Sequence, residues 1–409
     1  MLKAKFTEKK FLVTFIFVTS LFMLWGIAHS ISDVLVKHFQ NVLGLSKSQS
    51  ALVPLSVFGA YFIMSIPAGA FLKKFGYKLG VILGLVLFAG GCFLFIPAAN
   101  ATSFPVFRLA LFVMGCGMAT LETVAHPFAA SLGDQRSSDR RVNFAQSFNA
   151  VGAISGPKLG GYFLLGGSVV AGAGMLDSVK SLYMYLGIFI LLVAACFFFL
   201  KIPALTDPHV AQDVDPEAVN IDVAPDKKLY QHKHFVWAAI AQFFNVAAQA
   251  GTWSYFMNYS VEKMHISDAS AADYMMIFMA CMAAGRFVGT YLMKFVAPNK
   301  LLAMFAMGSI IACLIVAQAW GWVSFIALFS INFFFSIMFP TIFSLGLKNL
   351  GRHTQQASSF ISMGVVGGAF FPLLMGLVAN HDIAKAYYLP IICYTVIFLF
   401  GAKLYKVKH

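Results

Sequence analysis

The chain has 409 residues, 60% of them hydrophobic and 11% charged, against roughly 45–50% apolar and about 25% charged in an ordinary soluble domain. That balance excludes a soluble enzyme and a disordered chain. The formal charge of +13 does not point to nucleic acid, because the lysines and arginines stand in short connectors between apolar runs and not on a foldable soluble face.

The apolar runs recur at the length that crosses a bilayer as a helix, about 20 residues. Twelve spans are predicted, near 11–36, 50–73, 79–98, 104–131, 142–166, 181–200, 235–259, 270–293, 300–318, 322–347, 354–379 and 385–403. The first run has no small-residue cleavage site and continues to a full span, so it is expected to be an anchor and not a removable signal. If both termini share one side, that side collects twenty-one lysines and arginines, while Lys37, Lys47, Lys180, Lys263 and Lys385 make five on the other. The positive-inside rule then places both termini in the cytoplasm. All six cysteines fall inside apolar runs, without a C-x-x-C pair or a histidine cluster, so neither disulfides nor a metal site are expected.

The longest connector is also the most polar, with Asp207, Asp213, Asp215, Glu217, Asp222 and Asp226 beside three prolines. It divides the chain into an N-terminal six-helix half (1–200), a cytoplasmic linker (201–233) and a C-terminal six-helix half (234–409). The halves carry matching patterns. Gly69, Leu72, Lys74 and Phe75 after the second span repeat as Gly289, Leu292, Lys294 and Phe295 after the eighth, an offset of 220. Pro127, Ser131, Leu132 and Gly133 repeat as Pro340, Ser344, Leu345 and Gly346, an offset of 213, and Ser147, Phe148 and Gly152 repeat as Ser359, Phe360 and Gly364, an offset of 212. Three pairings of span n with span n+6, on one side and at nearly one offset, describe a parallel duplication about an axis along the membrane normal, as in major facilitator transporters.

Two acids stand inside spans, Asp33 in the first and Glu122 in the fourth. A carboxylate there is costly to keep, and such residues mark ion and proton pathways; the bland alternative is a structural polar contact. His29 precedes Asp33 by four residues and His126 follows Glu122 by four, so each pair shares a helix face. The histidines either share a proton with the acid or hydrogen-bond in a wet cavity. Amides form stripes at helical spacing: Asn143, Gln146 and Asn149 in the fifth span, and Gln242, Asn245 and Gln249 in the seventh, with Trp253 a turn further on. Amides both donate and accept, which suits a neutral polyhydroxylated solute, and an indole can cover an apolar sugar face. Interhelical glue is the plain alternative.

Three basic residues fall within or near spans. Arg108 is placed to snorkel, Arg286 to meet backbone carbonyls or loop groups at a cytoplasmic gate near Lys74 and Lys294, and Lys158 to reach the outer interface. Glycines at 152, 156, 160 and 161 and at 364, 367 and 368 permit close helix contact, either sliding or static.

These residues fall into longer blocks. Leu24-Trp25-Gly26 leads to Asp33, followed by Ile66-Pro67-Ala68-Gly69, Leu121-Glu122-Thr123, Asn143-Phe144-Ala145-Gln146-Ser147-Phe148-Asn149, Trp253-Ser254-Tyr255, Gly285-Arg286-Phe287 and Phe339-Pro340-Thr341-Ile342-Phe343-Ser344-Leu345-Gly346. The set resembles the fucose-galactose-glucose/proton symporter family of the major facilitator superfamily. The resemblance implies an all-α membrane fold of twelve helices, with Asp33 and Glu122 as coupling carboxylates and Gln146 and Asn149 as cavity amides. The family's asparagine-rich stretch before the first acid reads His29-Ser30-Ile31-Ser32 here, His126 replaces the asparagine after the second, and Asn245 replaces an aromatic residue.

The expected function is therefore proton-coupled import of a neutral sugar, a fucose-like deoxyhexose or related hexose. Proton coupling falls to Asp33 and Glu122, and sugar contact to His29, Ser30, His126, Gln146, Asn149, Gln242, Asn245, Gln249 and Trp253. The alternative is an uncoupled facilitator or antiporter for a sugar, amino sugar or polyol. No cofactor is expected beyond the proton gradient, and the expected partners are sugar, proton and lipid, around a monomer in the bacterial inner membrane. No nucleophile–base pair or phosphate loop suggests an enzyme.

Overall fold

The computed structural model describes residues 6–43, 52–134, 137–161, 175–202 and 228–407, and among them the regular structure is helical, with no strand. In lipid, every backbone N–H and C=O must be satisfied within its own segment, so uninterrupted apolar runs become helices. In chain order these are α1 (Leu12–Leu43), α2 (Leu52–Asn100), α3 (Phe104–Ser131), α4 (Ser138–Gly161), α5 (Met175–Phe199), α6 (Lys233–Met264), α7 (Asp268–Leu292), α8 (Pro298–Ala317), α9 (Trp322–Phe335), α10 (Met338–Gly346), α11 (Thr354–Met363), α12 (Gly367–Ala379) and α13 (Leu389–Leu399).

Nine helical stretches among the described residues are long and apolar enough to cross a membrane. One of them, Leu55–Asn100, has 46 residues, two crossings' worth. It bends at Gly76, whose φ of 77° lies in the left-handed region that a side chain disfavours. Counting that stretch as two and adding α4 and α6 gives twelve. α4 and α6 fall below the hydropathy of the others because they carry the two amide stripes. The tenth span is α9 followed by α10, and the eleventh is α11 and α12 joined by a 3-10 turn at Gly364–Val366. Exposed apolar side chains such as Phe199, Leu192 and Leu373 are what a lipid-facing surface requires.

The molecule contains two compact units. One comprises residues 13–125 and 148–202, the other residues 1–12, 126–147 and 203–409. In the first, Phe95 of α2 stacks on Tyr183 of α5 with ring centroids 3.7 Å apart. Here α4 lies against α1 so closely that a Cβ on Gly152 would collide with the Met23 carbonyl. In the second, Phe256 packs with Phe278 and Phe325 at 4.5 and 6.0 Å, aromatic contacts in the favoured range. The corresponding close approach is α12 against α6, where a Cβ on Gly367 would collide with the Phe243 carbonyl.

Several boundaries differ from expectation by four to seven residues, as at Leu43, Met175 and Met264, and one of them changes the reading of charged residues. α4 starts at Ser138, four residues before the predicted 142, so Asp139 and Arg141, read from the sequence as connector charges, lie in a first helical turn and are buried. An acid there meets the positive end of the helix dipole. Arg141 is held by the carbonyls of Phe6, Ala129, Ala130 and Asp134 and by the Ser137 hydroxyl.

Candidate functional site

Glu122 lies deep in α3 and is 2% exposed. The phenol of Tyr61, from α2, interacts with its carboxyl, and Trp25 of α1 adjoins the same phenol. Tyr61 is itself 1% exposed, so the acid is met by a hydroxyl in a water-poor setting. Sequence reasoning missed Tyr61, since nothing in the order of residues links it to a helix more than fifty positions away. The backbone of Asp33 continues α1, and its side chain, like that of Lys158, lies outside the described residues. His29 is half-buried one turn earlier.

Two of the expected sugar-binding groups in this unit also serve as joints. Ser30 Oγ donates to the Ala153 carbonyl at 2.8 Å, and Asn149 Nδ2 donates to the Phe22 carbonyl at 3.2 Å. Both bonds tie α1 to α4.

In the other unit, α4 carries three attachments on one face, at positions 139, 143 and 146. Asp139 Oδ2 pairs with Lys348 Nζ at 2.8 Å, and its Oδ1 accepts a hydrogen bond from Ser344. Asn143 Nδ2 donates to Thr341 Oγ1 at 3.2 Å and to the Asp139 carbonyl at 2.9 Å. The backbone carbonyl of Gln146 accepts from Arg286, whose Nε reaches the Ser336 carbonyl at 3.0 Å. Spacings of four and three keep all three on the same side of the helix. Asp139 and Lys348 were missed because charges in presumed connectors read as solvated, and Ser344 was read only as part of the internal repeat; an acid in the first turn after Ser138 was the available signal. His126 is fully buried and stacks on Phe343 at 4.3 Å, with Phe339 at 5.6 Å.

The α6 stripe is different. Gln242 and Asn245 are 0% exposed, yet all four of their side-chain polar atoms lack a hydrogen-bond partner among the described residues, as does Gln146 Oε1. Leaving a buried polar group unpaired costs about 1–3 kcal/mol. Gln249 is half-buried on the same face. Trp253 Nε1 donates to Asn332 Oδ1 at 3.0 Å, and Asn332 Nδ2 donates to the Phe278 carbonyl at 2.7 Å. The indole is thus fixed by a residue that sequence reasoning did not single out. Lys74 and Lys294 are exposed, each over the ring of a near neighbour, Phe75 at 5.2 Å and Tyr291 at 4.7 Å.

The sequence model of the Major Facilitator Superfamily matches residues 11–372. The L-fucose-proton symporter of Escherichia coli (strain K12) is 38% identical, over 96% of this chain and 93% of that protein. A glucose/galactose transporter of Brucella abortus is 34% identical, over 94% and 92%. The crystal structure of the transporter FucP in the outward conformation superposes with a TM-score of 0.83 at 36% identity, covering 96% of this chain and 99% of that one. The xylose symporter XylE, at 15% identity and a TM-score of 0.78, shares the fold. Buried intramembrane acid, amide stripes, duplicated halves and matches along nearly the whole chain agree: the protein is a multi-pass membrane transporter belonging to the Major Facilitator Superfamily.

Proposed function

We propose that the chain is a proton-coupled symporter that imports a neutral sugar, a deoxyhexose or related hexose, by alternating access. The observation that carries this reading is Glu122, an acid 2% exposed inside a span and met by a tyrosine hydroxyl. Relatives described as an L-fucose-proton symporter and as a glucose/galactose transporter support it. In the proposed cycle Glu122, with Asp33, takes a proton from the outer side. The sugar then binds to amides, with the side chains of Gln242 and Asn245 and the Gln146 Oε1 offering groups that have no hydrogen-bond partner among the described residues. Uncharged donors and acceptors favour hydroxyls over ionic solutes. Coupling requires only that proton and sugar favour the same rearrangement.

The moving parts in this reading are the halves 1–200 and 234–409. The links from Asp139 to Lys348, Asn143 to Thr341 and Gln146 to Arg286 then join the two halves, and all must break when the transporter opens toward the cytoplasm. The location follows as the inner membrane, with both termini cytoplasmic and a single chain as the working unit.

Uptake by proteoliposomes tests the assignment. With an inward proton gradient the wild type accumulates sugar above the external concentration, and Glu122→Gln retains sugar exchange while losing accumulation. Undiminished uphill uptake by Glu122→Gln would overturn it. In lightly buffered medium the external pH rises when sugar is added, because protons enter with it; a flat trace would establish the uncoupled facilitator instead.

A further inference from the structure

A cavity of about 610 Å³ opens beside the first half of α6, away from the amides. Its walls are Phe235, Ala239 and Phe243 of α6 on one side and Phe360 and Met363 of α11 on the other, and Leu229 and Tyr230 mark one end. Phe235 and Phe360 meet edge-on at 6.2 Å. At the other end, α6 and α12 touch where Gly367 leaves room for the Phe243 carbonyl. The 3-10 turn at Gly364–Val366 interrupts the helix between α11 and α12 beside that contact.

The lining has little hydrogen-bonding capacity, Gln356 and the phenol of the exposed Tyr230 at one end being its polar side chains, so it is poorly suited to a sugar. Long, apolar and carried by two membrane-spanning helices, it matches a hydrocarbon chain. The Leu229–Tyr230 end is basic. Lys228 and Lys233 flank it and are exposed, and the His232 and His353 rings lie 6.4 Å apart there. Neither 228–248 nor 351–366 contains an acid. The linker before Lys228 carries six acids and is chemically unsuited to fill an apolar slot.

We propose that this groove binds an anionic phospholipid, with one acyl chain between α6 and α11 and the phosphate at Lys228 and Lys233. Basic positions at the membrane face of a helix attract anionic headgroups, while the groove supplies the chain contact that a free phosphate lacks. The site is independent of the transported solute.

Native mass spectrometry of the full chain, released from micelles doped with dioleoyl phosphatidylglycerol or dioleoyl phosphatidylcholine, tests it. One retained phosphatidylglycerol is expected, bound about tenfold more tightly than phosphatidylcholine, and free glycerol 3-phosphate should not displace it. Ala239→Trp fills the groove and should remove the adduct of both lipids; if that variant melts early, Val236→Trp on the same wall replaces it. The double variant Lys228→Gln, Lys233→Gln should keep the phosphatidylcholine adduct and bring phosphatidylglycerol down to that level. Adducts that survive groove filling in a normally melting protein, equal retention of the two lipids by wild type, or a lipid-free dimer would each overturn the proposal.

Discussion

The seam between α1 and α4 and the seam between α6 and α12 follow one plan: a glycine on the later helix, Gly152 or Gly367, admits a backbone carbonyl of the earlier one, Met23 or Phe243. They differ in how they use amides. On the first seam Asn149 donates to the Phe22 carbonyl, joined by Ser30 and the Ala153 carbonyl. Beside the second, Gln242 and Asn245 are more deeply buried than Asn149, and their side chains bond to no protein group among the described residues. A duplicated fold has therefore kept the packing rule twice while using its polar groups once for cohesion. The other set bears a cost of about 1–3 kcal/mol per unpaired group, which a polyhydroxylated solute would offset.

Substituting the glycines breaks the shared part of the plan and has the largest expected effect. Gly152→Leu and Gly367→Leu should each destabilise by about 1–3 kcal/mol or more, as overpacked contacts do, read as melting temperature and as the monodisperse fraction in size-exclusion chromatography. Similar losses at both sites would affirm the common plan, and a tolerated leucine at either would refute it. Asp139→Ala comes next. It strands Lys348 and Ser344 and should cost about 1–3 kcal/mol. It shares α4 with Gly152 but none of its contacts, so the double variant should be additive within about 0.5 kcal/mol; strong coupling would mean that α4 responds as one body.

The contrast in amide use is tested by smaller changes. Asn149→Leu removes a hydrogen bond and should lower stability by about 1 kcal/mol. Asn245→Leu removes two unpaired buried groups and should leave the melting temperature unchanged or raised, while abolishing the thermal shift produced by the transported sugar. Equal destabilisation by the two would erase the difference between the seams. The smallest effect belongs to a position outside both. The Lys263 ammonium, hydrogen-bonded and 2.8 Å from Asp382, holds that carboxyl below its ordinary range, and the Ala384 amide adds to this. A depressed folded-state pKa means the pair stabilises above the ordinary carboxylate range and loses its contribution as pH falls through the lower folded value. With both side chains near 30% exposed, Asp382→Asn should cost under about 1 kcal/mol and less still in high salt. A loss that persists in molar salt would contradict this.

Much of this was legible in the sequence. Helix lengths and the amide stripes follow from hydropathy and period, since a lipid-embedded backbone has few other choices. The break between the second and third spans was placed at 73–79, and the positive φ at Gly76 explains why the chain turns there while the helical pattern hardly stops. The polar contacts were less legible. Tyr61 reaches Glu122 and Asn332 fixes Trp253 only through packing between helices, for which sequence spacing carries no signal. Asp139 and Arg141 were misread because a charge near a span end has two destinations, water or a carbonyl-rich helix terminus. Only the fold decides between them.

The arginines have one further consequence. Arg286 and Arg141 both donate to main-chain oxygens, and a guanidinium keeps its charge throughout the physiological range. Fastenings of this kind do not notice a proton. In the proposed proton-coupled cycle such fastenings hold at either pH, and the response to the proton falls to side chains that titrate.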